Sequence, residues 1–135
     1  MNLPQEAAHP GGFFAFGAPL YGLDSITEAI GTASGAVVVS GSHGGASAGR
    51  FAVLAGVRLV VFNDAGVGKD GAGIAALPLL QSAAMAACTV AHDSARIGDA
   101  RSTLEDGVIS HANAAAHALG ARPGLQLHAW LLSAA

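Results

Sequence analysis

Residues 36–40, which read AVVVS between Gly35 and Gly41, decide the fold class of this protein. A short, continuous, β-branched run of this kind is typical of a strand that is buried on both faces of a sheet. The signal recurs as RLVVF at residues 58–62 and as ACTVA at residues 87–91, and the segments between the three runs have helical character. Strands that alternate with helices predict a parallel sheet, and therefore an α/β domain.

The helices around these strands complete the predicted architecture. Residues 46–55 predict the first connecting helix, whereas Pro78 divides the second into two short pieces and starts the latter of them. Ser25 and Glu28 have the spacing of a capping box and predict a short helix to about residue 33. We therefore expect a small three-layer domain, Rossmann-like or flavodoxin-like, with a short parallel sheet that an edge strand can extend.

The last part of the chain predicts one long helix and an apolar tail. Ser102 and Glu105 form a second capping box, and apolar residues recur at helical spacing as far as Leu119. Gly120 then ends the helix. The tail, residues 125–132, reads LQLHAWLL and fits either an edge strand or an apolar docking segment.

Length and composition favour a single domain that associates with itself. The chain has 135 residues, enough for one hydrophobic core. Residues 1–22 are rich in proline and glycine and predict an arm, in which Phe13, Phe14 and Phe16 cover a domain edge or reach a neighbouring subunit. Residues 23–135 then form a single α/β domain. Only 11% of the residues are charged and 52% are hydrophobic, so we expect a homo-oligomer.

The same features exclude several partners and compartments. The longest apolar stretch, residues 51–62, contains Arg58 and is shorter than the roughly 20 residues of a spanning helix, so we expect no membrane partner. The start of the sequence lacks the basic flank and apolar core that mark a signal peptide, and the single Cys88 cannot form an internal disulfide. Both features favour the cytoplasm. A net charge of −3 with scattered basic residues predicts no nucleic-acid binding.

Polar residues gather directly after each predicted strand, in residues 40–45, 63–71 and 92–96. Because ligands of parallel α/β sheets bind beyond the carboxyl ends of the strands, we expect these loops to form one site. The alternative is that loops are polar simply because they face water. The candidate catalytic residues are Ser42, His43, Asp64, Lys69 and Asp93. The candidate substrate-binding residues are Gly44, Gly45, Asn63, Gly68, Ser94 and Arg96.

Charge and glycine in these loops indicate an anionic ligand. Lys69 is the sole lysine of the chain and lies between Asp64 and Asp70, where it can bind an anion or move a proton. Its alternative role is a surface ion pair with Asp70. Arg96 either binds a substrate carboxylate or ties its loop to an aspartate. The glycines ahead of the first connecting helix leave backbone amides for a phosphate or carboxylate.

Two familiar motifs are present only in part. Ser42 resembles a nucleophile on a strand-to-helix turn, but Ser40 stands where the G-x-S-x-G elbow has glycine. Gly66, Gly68 and Gly71 have the spacing of a dinucleotide-binding fingerprint, yet a proline interrupts the helix that should follow. We therefore predict no cofactor.

Metal and thiol chemistry are not expected either. The potential metal ligands in the loops lack a tight spacing, and the last helix is predicted to carry two histidines that point in different directions. We predict no tightly bound metal, and we expect Cys88 to be a small buried hydrophobe within the third strand. The residues considered as ligands are His43, Asp64, His92, Asp93, His111 and His117.

Taken as a site, these loops predict an enzyme of hydrolase or lyase type that acts on a small anionic metabolite at the carboxyl ends of the strands. One alternative is a noncatalytic nucleotide- or metabolite-binding module that uses the same glycine loops. A second is a structural subunit of a larger assembly, which the low charge also fits.

Overall fold

A computed structural model describes residues 13–134, which form a six-stranded mixed sheet with the strands in sequential order. The four central strands are parallel, whereas the two outer strands pair antiparallel with their neighbours. The strands are β1 (Phe14–Ala15), β2 (Ala18–Leu23), β3 (Val37–His43), β4 (Leu59–Asn63), β5 (Ala86–Val90) and β6 (Ile109–Ala112).

Helices cover both faces of the sheet and bury a core on each side. The helices are α1 (Ala46–Ala55), α2 (Ala76–Ser82), α3 (Ala100–Asp106), α4 (Ala114–Ala118) and α5 (Leu127–Ser133), and the 3₁₀ helices are Ile26–Ala29 and Lys69–Ile74. On one face, α1, α2 and the first 3₁₀ helix pack over the side chains of Val38, Val60 and Phe62. On the other, α3, α4 and α5 pack over Val39, Val61 and their neighbours. The three-layer α/β fold predicted from the sequence is thereby confirmed.

The central elements match the sequence pattern closely. The three β-branched runs are β3, β4 and β5, and the first connecting helix spans the predicted residues. The second connection is in two pieces, and Pro78 lies in the first turn of α2 rather than at its first residue, a position that proline tolerates. The Ser25 and Glu28 capping box is present, but it caps a 3₁₀ helix that ends at Ala29.

The single long helix predicted from Ser102 onward is wrong, because the chain turns at Gly107 and returns to the sheet. Gly107 has an extended conformation, and its amide donates to the Thr103 carbonyl and ends α3. The next residues form β6, which pairs antiparallel with β5, so Ile109 is buried as part of the sheet and not of a helix. Asp99, not Ser102, caps α3. The apolar residues that recur at helical spacing in this part of the sequence therefore belong to two short helices and a strand.

The chain termini add two strands and a helix that the patterns did not specify. Residues 14–23, of which all but the last fall within the predicted arm, form β1 and β2, and β2 pairs parallel with β3. Residues 1–12 of that arm lie outside the described part. Of the two interpretations of the tail, the structure shows a docked segment, because α5 buries Leu127, Trp130 and Leu131 against the sheet. Within residues 13–134, no helix is long and apolar enough to cross a membrane.

The connections after β4 and β5 run to opposite faces of the sheet. A sequential order of parallel strands lacks the reversal at which Rossmann-like and flavodoxin-like sheets bind ligands. Here the chain leaves β4 toward α2 on one face, and leaves β5 toward α3 on the opposite face. In open α/β sheets the crevice that binds ligands lies where adjacent loops diverge to opposite faces, so the candidate site is at the carboxyl ends of β4 and β5.

Candidate functional site

Asp64 is the centre of the polar cluster at the ends of β4 and β5. Its residue is only 4% exposed, and its Oδ1 accepts the backbone amides of Gly66 at 2.8 Å and His92 at 3.0 Å. The His92 Nδ1 lies 3.6 Å from the same oxygen, and the His111 Nδ1 lies 4.0 Å from Oδ2. One buried carboxylate thus faces two imidazole rings.

Hydrogen bonding keeps Asp64 ionised despite its burial. Burial by itself raises the pKa of this carboxyl, because an apolar environment penalises the charge. The nearby Ser110 hydroxyl, the hydrogen bonds from the Gly66 and His92 amides and the His92 ring together outweigh burial and lower the pKa below 3.8. Asp64 is therefore a fixed negative charge at neutral pH.

Strand β6 supplies the other half of the cluster. The Ser110 Oγ lies 2.9 Å from the Thr89 Oγ1 and 3.2 Å from the His111 Nδ1. Ser110 and Thr89 were not among the residues predicted for the site, and His111 was expected on a helix. The overlooked signal is the short β-branched run at residues 108–109 between Gly107 and the polar residues 110–111, which is typical of a brief edge strand.

The loop after β4 is held in an unusual backbone conformation beside this cluster. Six residues have positive φ, among them the non-glycine Ala65 at 51°, Val67 at 68° and Asp70 at 57°. A positive φ costs about 1–3 kcal/mol at each non-glycine residue, and it persists only where surrounding contacts fix the backbone. Here the Gly73 amide donates to the Val67 carbonyl at 2.6 Å, and a Cβ on Gly73 would collide with the Asp64 carbonyl.

Asn63 and Gly44 join the three loops rather than face a ligand. Asn63 is fully buried, and its Nδ2 donates to the Ala95 carbonyl at 3.1 Å while its Oδ1 accepts the Ala65 amide at 2.8 Å. The Gly44 amide donates to the Asn63 carbonyl at 2.9 Å, and the Gly44 carbonyl accepts the Ala76 amide. These two predicted substrate-binding residues thus fix the relative positions of the strand ends.

Ser42, His43 and Gly45 lie at the start of α1, apart from Asp64. The Ser42 hydroxyl accepts the Ile26 amide at 3.0 Å, and His43 is exposed with its ring against Gly45. Ser42 and His43 line a cavity of about 160 Å³ next to the first 3₁₀ helix. Within residues 13–134, no hydrogen bond or ion pair connects Ser42 or His43 with the Asp64 cluster.

The predicted charged residues of the loops are mostly free of mutual ion pairs. Gly68 and Lys69 are exposed where the second 3₁₀ helix starts, and Lys69 pairs with neither Asp64 nor Asp70 in the described chain. Asp93 is also exposed.

The third loop uses its remaining predicted residues in local contacts. The Arg96 side chain is 79% exposed and lies 3.3 Å from Asp99, as one of the two interpretations of the sequence had it. The Ser94 hydroxyl donates to the Ala91 carbonyl at 2.7 Å and accepts the Val108 amide at 3.0 Å. Ser94 therefore ties the loop to the start of β6.

Cys88 is fully buried in β5, and burial raises the pKa of its thiol to about 12. A thiol of this kind is inert, as expected for a small hydrophobic residue. Among residues 13–134, no group of three or more histidine, cysteine or acidic side chains is arranged to hold a metal ion.

Comparison with known proteins adds no relative. No protein-family model, no curated protein sequence and no solved structure matches this chain.

Proposed function

We propose that this protein is an enzyme of hydrolase or lyase type that moves protons on a small anionic molecule at the Asp64 cluster. The observation that carries the proposal is the buried, ionised Asp64 carboxylate with the Nδ1 atoms of His92 and His111 at 3.6 and 4.0 Å. A carboxylate at Nδ1 orients an imidazole and stabilises its protonated form, which is the role of aspartate in acid–base catalysis.

The two rings are open to a substrate on their outer sides. The His92 side chain is 60% exposed and that of His111 is 39% exposed, whereas the Asp64 side chain is 6% exposed. Because each ring turns Nδ1 toward the carboxylate, its Nε2 lies on the far side. A substrate in the crevice would therefore meet imidazole nitrogens and not the carboxylate itself.

The strained loop after β4 supplies the positive charge for an anion. A Cβ on Gly66 would lie 3.6 Å from the His92 Nδ1, so this loop packs directly beside one of the two rings. The same loop carries Lys69, which is exposed and makes no ion pair within residues 13–134. Backbone strain concentrates at functional sites, and it supports a binding role for a loop held in one shape.

This arrangement favours proton transfer over attack by Ser42. The Ser42 hydroxyl is engaged with the Ile26 amide, and its neighbour His43 packs on Gly45. Of the residues predicted to be catalytic, Asp64 and Lys69 therefore carry the proposal, and His92 and His111 join them.

A thermal-shift panel tests the proposal. Phosphate and small dicarboxylates should raise the Tm of the protein more than chloride at equal ionic strength, and His92→Gln should retain binding but lose turnover of the ligands that bind. His117→Gln is the matched control, because His117 is exposed on α4 away from the cluster. Binding with no turnover of any bound ligand would favour the noncatalytic binding module, and no anion effect would refute both.

We also propose that the protein forms a homo-oligomer through an apolar surface formed by residues 13–14 and the end of α5. Phe13 and Phe14 of the first strand region and Leu132 of α5 surround a cavity of about 150 Å³, and they are 57%, 46% and 55% exposed. Large apolar side chains clustered on a surface mark an interface. Light scattering should give a multiple of 13.2 kDa. A monomer at micromolar concentration, or a Phe14→Ser, Leu132→Ser variant with unchanged mass, would refute this interface.

A further inference from the structure

The hydroxyl of Ser110 has one proton to give and lies between two acceptors. Its Oγ is 3.4 Å from the Thr89 carbonyl, to which it can donate, and 3.2 Å from the His111 Nδ1. The same His111 Nδ1 lies 4.0 Å from Oδ2 of the Asp64 carboxylate. A negative charge at this distance favours a proton on Nδ1, so the Ser110 proton goes to the Thr89 carbonyl.

With its proton on the Thr89 carbonyl, the Ser110 oxygen becomes an acceptor for both remaining neighbours. A hydroxyl oxygen has two lone pairs, and the Thr89 Oγ1 at 2.9 Å and the His111 Nδ1 at 3.2 Å are in place to donate to them. The proton of a neutral His111 then lies on Nδ1. No buried side-chain nitrogen or oxygen among residues 13–134 lacks a partner, so this assignment leaves the cluster satisfied.

We infer that Ser110 is a positioning residue that holds His111 with Nδ1 protonated and Nε2 bare, and so makes His111 a second proton-transfer group of the site. The inference rests on the proposed function. The Nδ1 atoms of His92 and His111 lie 3.6 and 4.0 Å from the two oxygens of Asp64, so one charge favours the same orientation of both imidazoles. One imidazole can remove a proton from a substrate while the other, protonated, delivers one to the leaving group.

The tautomer of His111 tests this inference without a substrate. In ¹⁵N-labelled protein at about pH 9, where imidazoles are neutral, long-range ¹H–¹⁵N correlation spectra should show His111 with Nδ1 protonated. Ser110→Ala removes the acceptor and should shift the tautomer ratio of His111 toward Nε2–H by roughly five- to tenfold, the equivalent of one hydrogen bond. The tautomer of His92 should not change, and His128, exposed on α5, is a reference.

Ser110→Thr is the conservative variant, because threonine keeps the hydroxyl and suits a strand. It should retain the His111 tautomer of the unmodified protein. A His111 protonated on Nε2 in the unmodified protein would overturn the inference, as would an unchanged ratio in Ser110→Ala. Neither result depends on anion binding. A negative anion panel together with the expected tautomers would instead refute the proposed function and leave the positioning by Ser110 established.

Discussion

Replacing Asp64 with asparagine should lower stability in a way that depends on pH. The carboxylate Oδ1 accepts two backbone amides at 2.8 and 3.0 Å. A hydrogen bond to a charged acceptor contributes about 1.5–3 kcal/mol and one to a neutral acceptor about 0.5–1.5 kcal/mol. Asparagine keeps a neutral oxygen in this place, so we expect a loss of about 1 kcal/mol per bond, or roughly 2 kcal/mol at pH 7.

The sign of the pH dependence follows from the lowered pKa of Asp64. In the unfolded chain the carboxyl titrates near 3.8, whereas in the folded protein it titrates below that value. Between the two pKa values the unfolded state binds more protons, so stability falls as the pH falls. The contribution of Asp64 is therefore complete above about pH 5 and is lost as the pH drops through the folded pKa. Asp64→Asn lacks this component.

Urea unfolding followed by the fluorescence of Trp130, the sole tryptophan and a buried one, measures both effects. The free-energy difference between the unmodified protein and Asp64→Asn should shrink as the pH is lowered from 7 toward 3 at constant ionic strength. Asp93→Asn is the matched control, because Asp93 is an exposed carboxylate close in sequence and should have little effect at any pH. A difference that stays constant across this range would refute the reasoning.

Three further substitutions test other parts of the structure. Lys69→Ala should change the free energy of unfolding by no more than about 1 kcal/mol. It should weaken anion binding, measured by calorimetry, tenfold or more, which is about 1.4 kcal/mol. Rescue of binding by Lys69→Arg would indicate that the charge of the side chain binds the anion, and normal binding in Lys69→Ala would mean that the site is centred elsewhere. Asn113→Ala should lower the free energy of unfolding, measured by chemical denaturation, by roughly 3–4 kcal/mol, because the side chain makes four hydrogen bonds to backbone groups. A loss under about 1 kcal/mol would contradict those bonds. Gly107→Ala should lower stability by about 1–3 kcal/mol, since a Cβ would collide with the Thr103 carbonyl and lie 2.7 Å from a Val90 methyl, and an unchanged Tm would show that the turn can relax.

The proposed chemistry depends on an edge strand that closes back on the sheet. Strand β6 is four residues long, yet it brings Ser110 and His111 against Thr89 of β5. Asn113 follows this strand and caps α4, and its side-chain bonds to Leu77, Met85 and Ala87 tie the turn to α2 and to the start of β5. The position of the second imidazole therefore depends on packing at both ends of β6.

Part of the candidate site could be predicted from the sequence. The rule that parallel sheets bind ligands beyond their carboxyl ends selected Asp64 and its neighbours, and the three loops do lie at one edge. The pattern did not distinguish residues that face the crevice from those that hold the loops together. Asn63, Gly44 and Ser94 hold backbone groups of neighbouring segments, a function that only the hydrogen-bond partners reveal.

The sequence by itself determined the three-layer class and the central strands, because continuous β-branched runs and the caps of short helices are local signals. Only the tertiary structure decided the course of residues 99–113, where helical spacing of apolar residues competes with the pairing of β6 and β5. That pairing joins residues about twenty positions apart, and its stabilisation comes from contacts that no local window contains. The approach of His111 to Asp64 follows from the same non-local pairing.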